Sequence, residues 1–244
     1  LIEKLNTTVV ARRFRGSNPA ILKNLTSLDC FANACNEINE KPKIADLGCG
    51  TGCSTEALCT LFPDEKIVAI DFAAHALERA QAKIQSTKVE FLLSDFEEKI
   101  FQSQSMDLIF SNMSLQWSLQ LEHLFEHLHQ AIQTNGLLAF SVPVEGNFPE
   151  IQTTHKNIFV SQLTIERLLQ KIGFTILMAE SAYYQENFDS PLESLRSLRK
   201  TGTTVLVDAQ AEQGLSHAKS LNHILVDANS TTLTYHIGFF IAQK

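Results

Sequence analysis

Along the chain, short apolar runs alternate with stretches whose apolar residues recur every three or four positions. "KIADL" (43–47), "KIVAID" (66–71), "VEFLLSD" (89–95), "MDLIFSN" (106–112) and "GLLAFSVP" (136–143) predict strands. Helices are predicted between them at about 54–62, 73–84 and 120–133. In the last of these, Leu121, Leu124, Phe125, Leu128 and Ile132 share one face. Beyond Pro149 the pattern predicts a helix over 163–173 that ends at Gly173 and a strand over 174–184. A helix over 190–202 follows, with Pro191 early and Gly202 late, and then a strong final strand, "LTYHIGFFIAQK" (233–244). Continuous apolar strands alternating with helices indicate an α/β fold, doubly wound, whose mostly parallel seven-stranded sheet is covered on both faces. No linker rich in Pro, Gly or Ser and no internal repeat divides the chain, so residues 1–244 are expected to form one domain. Its parts are a helical segment over 1–40, fit to act as a lid, a ligand-binding half over 41–150, and substrate-side elements over 151–244.

Composition narrows the function classes. The 244 residues carry a net charge of −7, against general nucleic-acid binding. One stretch departs from that balance: within residues 1–28, Lys4, Arg12, Arg13, Arg15 and Lys23 face Glu3 alone. It reads either as a solvated helix or as a dock for an acidic partner. No run of eighteen apolar residues occurs, so no membrane span is expected. The start shows no signal-peptide pattern, and five cysteines without a CxxC pair predict free thiols in a reducing compartment. Together these predict a cytoplasmic protein, with a monomer as the expected state. "HLFEH" (123–127) fits an inverted zinc-hydrolase motif, but the apolar stripe already explains that helix. No metal is expected.

The chemistry starts at "IADLGCGTGCSTEALCTLF" (44–62). Gly48, Gly50 and Gly52 follow an apolar strand directly, where a doubly wound sheet binds ligands. Backbone without Cβ atoms lets a ligand approach closely, and the following helix N-terminus favours negative groups. A dinucleotide fingerprint would need glycine at position 53, which is Cys53. The pattern is instead D-x-G-x-G-x-G headed by Asp46. Asp71 ends the second strand, where a carboxylate can accept from both ribose hydroxyls, and Asp95 and Phe96 follow the third.

This arrangement resembles motif I and its companions in class I S-adenosylmethionine-dependent methyltransferases, whose sheet is Rossmann-like. The resemblance implies that Gly48, Cys49, Gly50 and Gly52 approach the amino-acid portion of S-adenosylmethionine, while Asp46 meets its ammonium directly or through water. It implies that Asp71 and Phe72 meet the ribose side, that Asp95 and Phe96 meet adenine, and that Ser111, Asn112 and Met113 border the cofactor. S-adenosyl-L-homocysteine would be the product. "FSNMSLQW" (110–117) resembles the S-N-x-x-x-Q-W pattern of two carboxyl-methylating families, the malonyl-[acyl-carrier protein] O-methyltransferases and the trans-aconitate methyltransferases. "GLLAFSVPVEGNFPEIQ" (136–152), "ESLRSLRKTGTT" (193–204) and "LTYHIGFFIAQK" (233–244) are similar to the former. One departure is visible: the family's Tyr, about seven residues after a Phe matching Phe14, falls near Ile21.

The resemblance implies methyl transfer to the free carboxylate of a malonyl thioester on acyl-carrier protein, or of malonyl-CoA, at the start of pimeloyl synthesis in the biotin pathway. That carboxylate is already ionised, with a pKa of about 4, so no acid/base residue is expected and proximity does the work. Arg196 is the expected carboxylate fork. Gln116 and Trp117 are expected beside the transferred methyl, and Tyr235 or His236 at the substrate. Arg12, Arg13, Arg15, Arg199 and Lys200 are expected to face the carrier protein. Two other readings stay open: methyl esterification of a free polyacid such as trans-aconitate, and a non-catalytic S-adenosylmethionine-binding protein that has lost turnover with the missing Tyr.

Overall fold

The computed structural model describes residues 42–150, 159–200 and 231–244, without the side chains of residues 195 and 198–200. Seven strands form one sheet in the order β3-β2-β1-β4-β5-β7-β6. They are β1 (Ile44–Leu47), β2 (Ile67–Asp71), β3 (Val89–Leu93), β4 (Met106–Asn112), β5 (Ile132–Pro143), β6 (Thr175–Asn187) and β7 (Thr232–Gln243). The first five run parallel, and β7 enters antiparallel between β5 and β6. All four residues of β1 are buried, which is why its sequence is a continuous apolar run broken only by Asp46. The helices are α1 (Cys53–Leu61), α2 (Ala74–Lys83), α3 (Leu121–Ala131), α4 (Gln162–Ile172) and α5 (Pro191–Lys200), with a short 3-10 turn at Leu115–Trp117.

Two apolar layers flank the sheet. On one side Leu124, Phe125 and Leu128 of α3 and Ile165 and Leu169 of α4 pack with Ile109, Leu138 and Phe240. On the other, Ala57 and Leu58 of α1 pack with Ile44, Ile67, Leu108 and Ile241. Helix α4 begins at Ser161, whose Oγ accepts from the Thr164 N–H. It ends at Gly173 in the left-handed region, where the Gly173 and Phe174 N–H groups return to Leu169 and close the last turn.

One boundary differs from the sequence expectation. Ile132 does not extend α3 but opens β5, opposite Met106 across a bulge between Met106 and Leu108. The Leu128–Ile132 spacing continues the helical stripe across the break, and Ile132 is fully buried as a strand residue. Here Lys244 Nζ donates to the carbonyls of His129 and Ile132, satisfying groups that a longer helix would have paired. Strand β6 also runs longer than the pattern suggests, because it pairs with β7 from Thr175 to Asn187. The neighbours β1 and β4 feed helices on opposite faces, which opens the crevice above the glycine loop. No helix among the described residues is long and apolar enough to cross a membrane.

Candidate functional site

The loop from β1 into α1 is pinned from below. The N–H groups of Gly48 and Cys49 both donate to the Ile70 carbonyl, and Gly50 N–H donates to Asp71 Oδ2 at 2.7 Å. All three glycines take left-handed φ values, 68°, 55° and 81°. Their missing side chains serve different ends. A Cβ on Gly48 would lie 2.2 Å from Ser114 Oγ, and one on Gly52 would lie 2.8 Å from Ile84 Cδ1. A Cβ on Gly50 would meet nothing within 4 Å among the described residues. Gly48 and Gly52 are thus required by the protein's own packing, and Gly50 alone presents bare main chain to open space.

Beneath this loop Asp46 is fully buried. Its Oδ2 accepts from Ser54 Oγ at 2.8 Å and Thr55 Oγ1 at 2.6 Å, while Oδ1 has no partner among the described residues. Burial pushes its pKa up to about 6 against the lowering pull of the two hydroxyls, with the nearby Asp71 charge adding to the rise. A buried carboxylate oxygen without a donor suits a cationic ligand. Burial first, and then Asp46 and Asp71, also push the Cys49 thiol up, so it stays neutral.

Asp71, at the end of β2, uses both oxygens on backbone, receiving Gly50 N–H on Oδ2 and Ala73 N–H on Oδ1. Each oxygen keeps a second lone pair for a hydroxyl donor. Phe72 is 63% exposed and Leu93, whose neighbour across the sheet is Asp71, is 56% exposed. These two apolar side chains stand at the ends of adjacent strands and are both open to a ligand. Asp95 is exposed and accepts from Glu97 N–H, whereas Phe96 turns into the core beside Leu47 and Ile100. The ring open to a ligand at this end is therefore Phe72 rather than Phe96.

At the end of β4, Ser111 Oγ donates to the Leu47 carbonyl, and Asn112 Oδ1 accepts from Ser141 Oγ. These side chains knit β4 to its two neighbours. Met113 follows with φ 55°, and Ser114 Oγ donates to the Gly48 carbonyl, which fills the space Gly48 leaves. Gln116 Nε2 donates to the Met113 carbonyl, while Gln116 Oε1 is buried without a partner among the described residues. Trp117 is half-buried against the core.

The far edge of the sheet is different. Tyr235 is buried with Phe148, Leu233 and Ile237, and its hydroxyl donates to Glu186. His236 points to the opposite face, stacked on Tyr183 at 4.0 Å, with ring contacts to the Glu145 carbonyl and Ser181 Oγ. Arg196 is exposed on α5 and has no ion pair among the described residues. Arg12, Arg13, Arg15, Phe14 and Ile21 lie outside the described residues, as do the side chains of Arg199 and Lys200. His123 and His127 pair ring to ring at 4.1 Å, and no three metal-ligating side chains converge among the described residues.

Sequence reasoning passed over Ser54, Thr55, Ser114 and Leu93. The first two carry a readable signal, since hydroxyl residues in the first turn after a glycine loop face back toward the strand that feeds it. Nothing local marks Ser114 or Leu93.

Residues 44–136 match a family model described as a methyltransferase domain. The chain is 42% identical over 201 residues to malonyl-[acyl-carrier protein] O-methyltransferase 2 of Coxiella burnetii, covering 82% of this chain and 79% of the relative. It is 28% identical to a malonyl-[acyl-carrier protein] O-methyltransferase of Bacillus cereus, covering 82% of each. Among solved structures, a methyltransferase from Bacillus halodurans aligns with a TM-score of 0.62 at 14% identity, over 87% of this chain and 97% of the other. A phosphoethanolamine N-methyltransferase of Haemonchus contortus, solved with S-adenosylhomocysteine, aligns with a TM-score of 0.59 at 17% identity, over 99% of this chain and 57% of the other.

Proposed function

This chain belongs to the malonyl-[acyl-carrier protein] O-methyltransferase family, and from that membership we propose that it methylates the free carboxylate of a malonyl thioester carried on acyl-carrier protein. The supporting observation is the 42% identity to a family member over four-fifths of both chains. The cofactor is S-adenosylmethionine, which supplies a methyl group on a positively charged sulfur. The methyl ester removes the malonyl charge and allows chain elongation toward pimeloyl in the biotin pathway. The setting is the cytoplasm, with the whole chain acting as one domain.

The described residues fit that cofactor. Asp46 Oδ1, buried and without a partner among the described residues, is the acceptor for an ammonium group, and Gly50 offers main chain without steric bulk. Asp71 takes the ribose hydroxyls on its remaining lone pairs, with Phe72 and Leu93 as the apolar wall for adenine. Asp95 receives the adenine amino group.

The acceptor carboxylate needs no base, because it is ionised near neutral pH. The protein's task is to orient it at about 3–3.5 Å from the reacting carbon and to exclude water, which strengthens the attraction between opposite charges. Arg196, exposed and without an ion pair among the described residues, grips the non-reacting oxygen. Arg12, Arg13, Arg15, Arg199 and Lys200 face the acidic carrier protein.

The test compares malonyl-acyl-carrier protein, malonyl-CoA, free malonate and trans-aconitate as methyl acceptors. Ester on the malonyl thioesters, with the free acids far behind, is the expected result. Faster esterification of trans-aconitate would replace the proposal with the free-acid reading. Cofactor binding without ester on any of the four would mark a protein that binds but does not turn over.

A further inference from the structure

The 3-10 turn Leu115–Trp117 is strung between the two loops that the reading above gives to the cofactor. At its start, Ser114 Oγ donates to the Gly48 carbonyl at 2.9 Å. Just past its end, the Leu119 N–H donates to Glu97 Oε1 at 2.8 Å. Glu97 stands two residues beyond Asp95, and its own N–H donates to Asp95 Oδ1 at 2.9 Å. A hydrogen-bonded path therefore runs from the Asp95 carboxylate, through Glu97, to the backbone that follows Trp117.

Packing holds the two ends of this segment unequally. Leu115 is buried and Trp117 half-buried against the core that also covers Phe96. Leu119 is 61% exposed, so its side chain gives that end little to lean on. The Ser118 hydroxyl does not help, because its oxygen is buried without a partner among the described residues. What ties the end down is the Glu97 carboxylate. A backbone N–H donating to a carboxylate makes a charge-assisted bond, stronger than one between neutral groups. Asp95, at the other end of the path, is exposed and within reach of a ligand.

We propose that Glu97 is a positioning residue that joins the adenine end of the cofactor site to the turn carrying Gln116 and Trp117. An amino group held by Asp95 orients that carboxylate, whose Oδ1 receives the Glu97 N–H. Glu97 passes the constraint to the Leu119 N–H, and so to the wall on the acceptor side. The inference rests on the reading above, with adenine at Asp95 and the acceptor beside Gln116 and Trp117, and deepens it. The coupling is reciprocal: a cofactor that orders the turn favours the acceptor by the same factor as the acceptor favours the cofactor.

Trp117 is the chain's one tryptophan, so its emission reads the turn directly. Adenosine and S-adenosylhomocysteine are titrated into the full chain, with calorimetry beside fluorescence. In wild type both ligands should change the Trp117 emission. In Glu97→Ala both should still bind within about threefold of wild-type affinity, while the emission change falls to less than about half. Glu97→Gln keeps an oxygen that accepts from the Leu119 N–H and should restore the change. With malonyl-carrier protein, kcat/KM should fall about fivefold in Glu97→Ala and stay within about twofold in Glu97→Gln. A direct effect of the bound base on the indole would survive in Glu97→Ala, and that survival would overturn the proposal. So would wild-type emission that bound adenosine leaves unmoved, a result that does not depend on how any variant folds. The emission needs no acceptor, so the two readings separate. An emission change that requires Glu97, with no ester on malonyl-carrier protein, would keep this role for Glu97 and sink the thioester reading. Ester on malonyl-carrier protein, with emission indifferent to Glu97, would do the reverse.

Discussion

The glycine loop and the β6–β7 edge are both rich in polar groups, yet they treat them in opposite ways. At the loop, Asp46 Oδ1 is buried without a partner among the described residues and Gly50 faces open space. At the edge, polar groups meet one another: Tyr235 with Glu186, His236 with the Glu145 carbonyl and Ser181, and Thr234 with Glu150. A buried group left unsatisfied costs free energy unless something outside the chain completes it. On the proposed reading the loop is completed by a ligand, whereas the edge pairs its own polar groups. By that criterion Gln116, with its unmet oxygen, sides with the loop.

The sharpest way to break this contrast lies within the loop itself, at two glycines. Gly48→Ala drives a Cβ to 2.2 Å from Ser114 Oγ and should destabilise the fold by about 3 kcal/mol or more, seen as a thermal shift near 10 °C. Gly50→Ala carries only the cost of a left-handed alanine, about 1 kcal/mol, since no described residue lies near its Cβ. Its melting temperature should move by a few degrees while affinity for S-adenosylmethionine drops at least about tenfold. If Gly50→Ala bound the cofactor normally, the open space above it would not be the cofactor's.

Asp46 tests the same idea in the opposite direction. Its carboxyl is raised from 3.8 to about 6, so the charged form that dominates above pH 6 weakens the folded state by about 3 kcal/mol. That penalty is absent below the unfolded value and complete above the folded one, so stability falls as pH rises between roughly 4 and 6. Asp46→Asn should flatten this slope, raise stability at pH 7.5 in denaturant titrations, and weaken cofactor binding about tenfold or more. A variant that lost stability and kept its affinity would make Asp46 a structural anchor.

Wild type gives a gentler form of this test. A cationic ligand favours the charged carboxylate, so cofactor affinity should hold above pH 6 and fall by at most about tenfold per unit below it. Calorimetry from pH 5 to 8 would read the bend, and a flat profile would remove the ammonium from Asp46.

What could be read in the sequence divides along the same line. The sheet was legible because buried parallel strands must be continuously apolar, and Asp46 and Asp71 stood out as acids at strand ends. The trade between Phe72 and Phe96 was hidden: each follows an acid at or just beyond the end of a strand, and only the return of the chain toward α3 decides which ring is covered. Tyr235 and His236 lie on opposite faces, as strand alternation requires, but their partners Glu186, Glu145 and Ser181 lie 49 to 91 residues away in sequence. The differing duties of three identical glycines follow from Ser114 and Ile84, which no local pattern connects to them.

Arg196 stands on α5, which packs against β7. It is exposed, so Arg196→Ala should leave thermal stability within about 0.5 kcal/mol. It should raise KM for malonyl-carrier protein about tenfold, with cofactor affinity within twofold. Equal losses in both affinities would assign it to the fold instead.

The smallest expected effect comes from Tyr235, and it decides whether the edge is self-contained. Its hydroxyl already donates to Glu186 at 3.1 Å, and its ring is buried against Phe148 at 4.9 Å between centroids. Tyr235→Phe keeps the ring packing and removes only the hydrogen bond, so stability should fall by about 1 kcal/mol. If the edge completes itself, kcat/KM for malonyl-carrier protein stays within about threefold of wild type, less than 0.7 kcal/mol of transition-state binding. If that hydroxyl turns to the substrate during reaction, the pattern inverts: the melting temperature holds and kcat/KM falls more than about tenfold. The second pattern would mean that a paired polar group at this edge is held in reserve for catalysis, and that an unmet partner is no guide to where this protein binds.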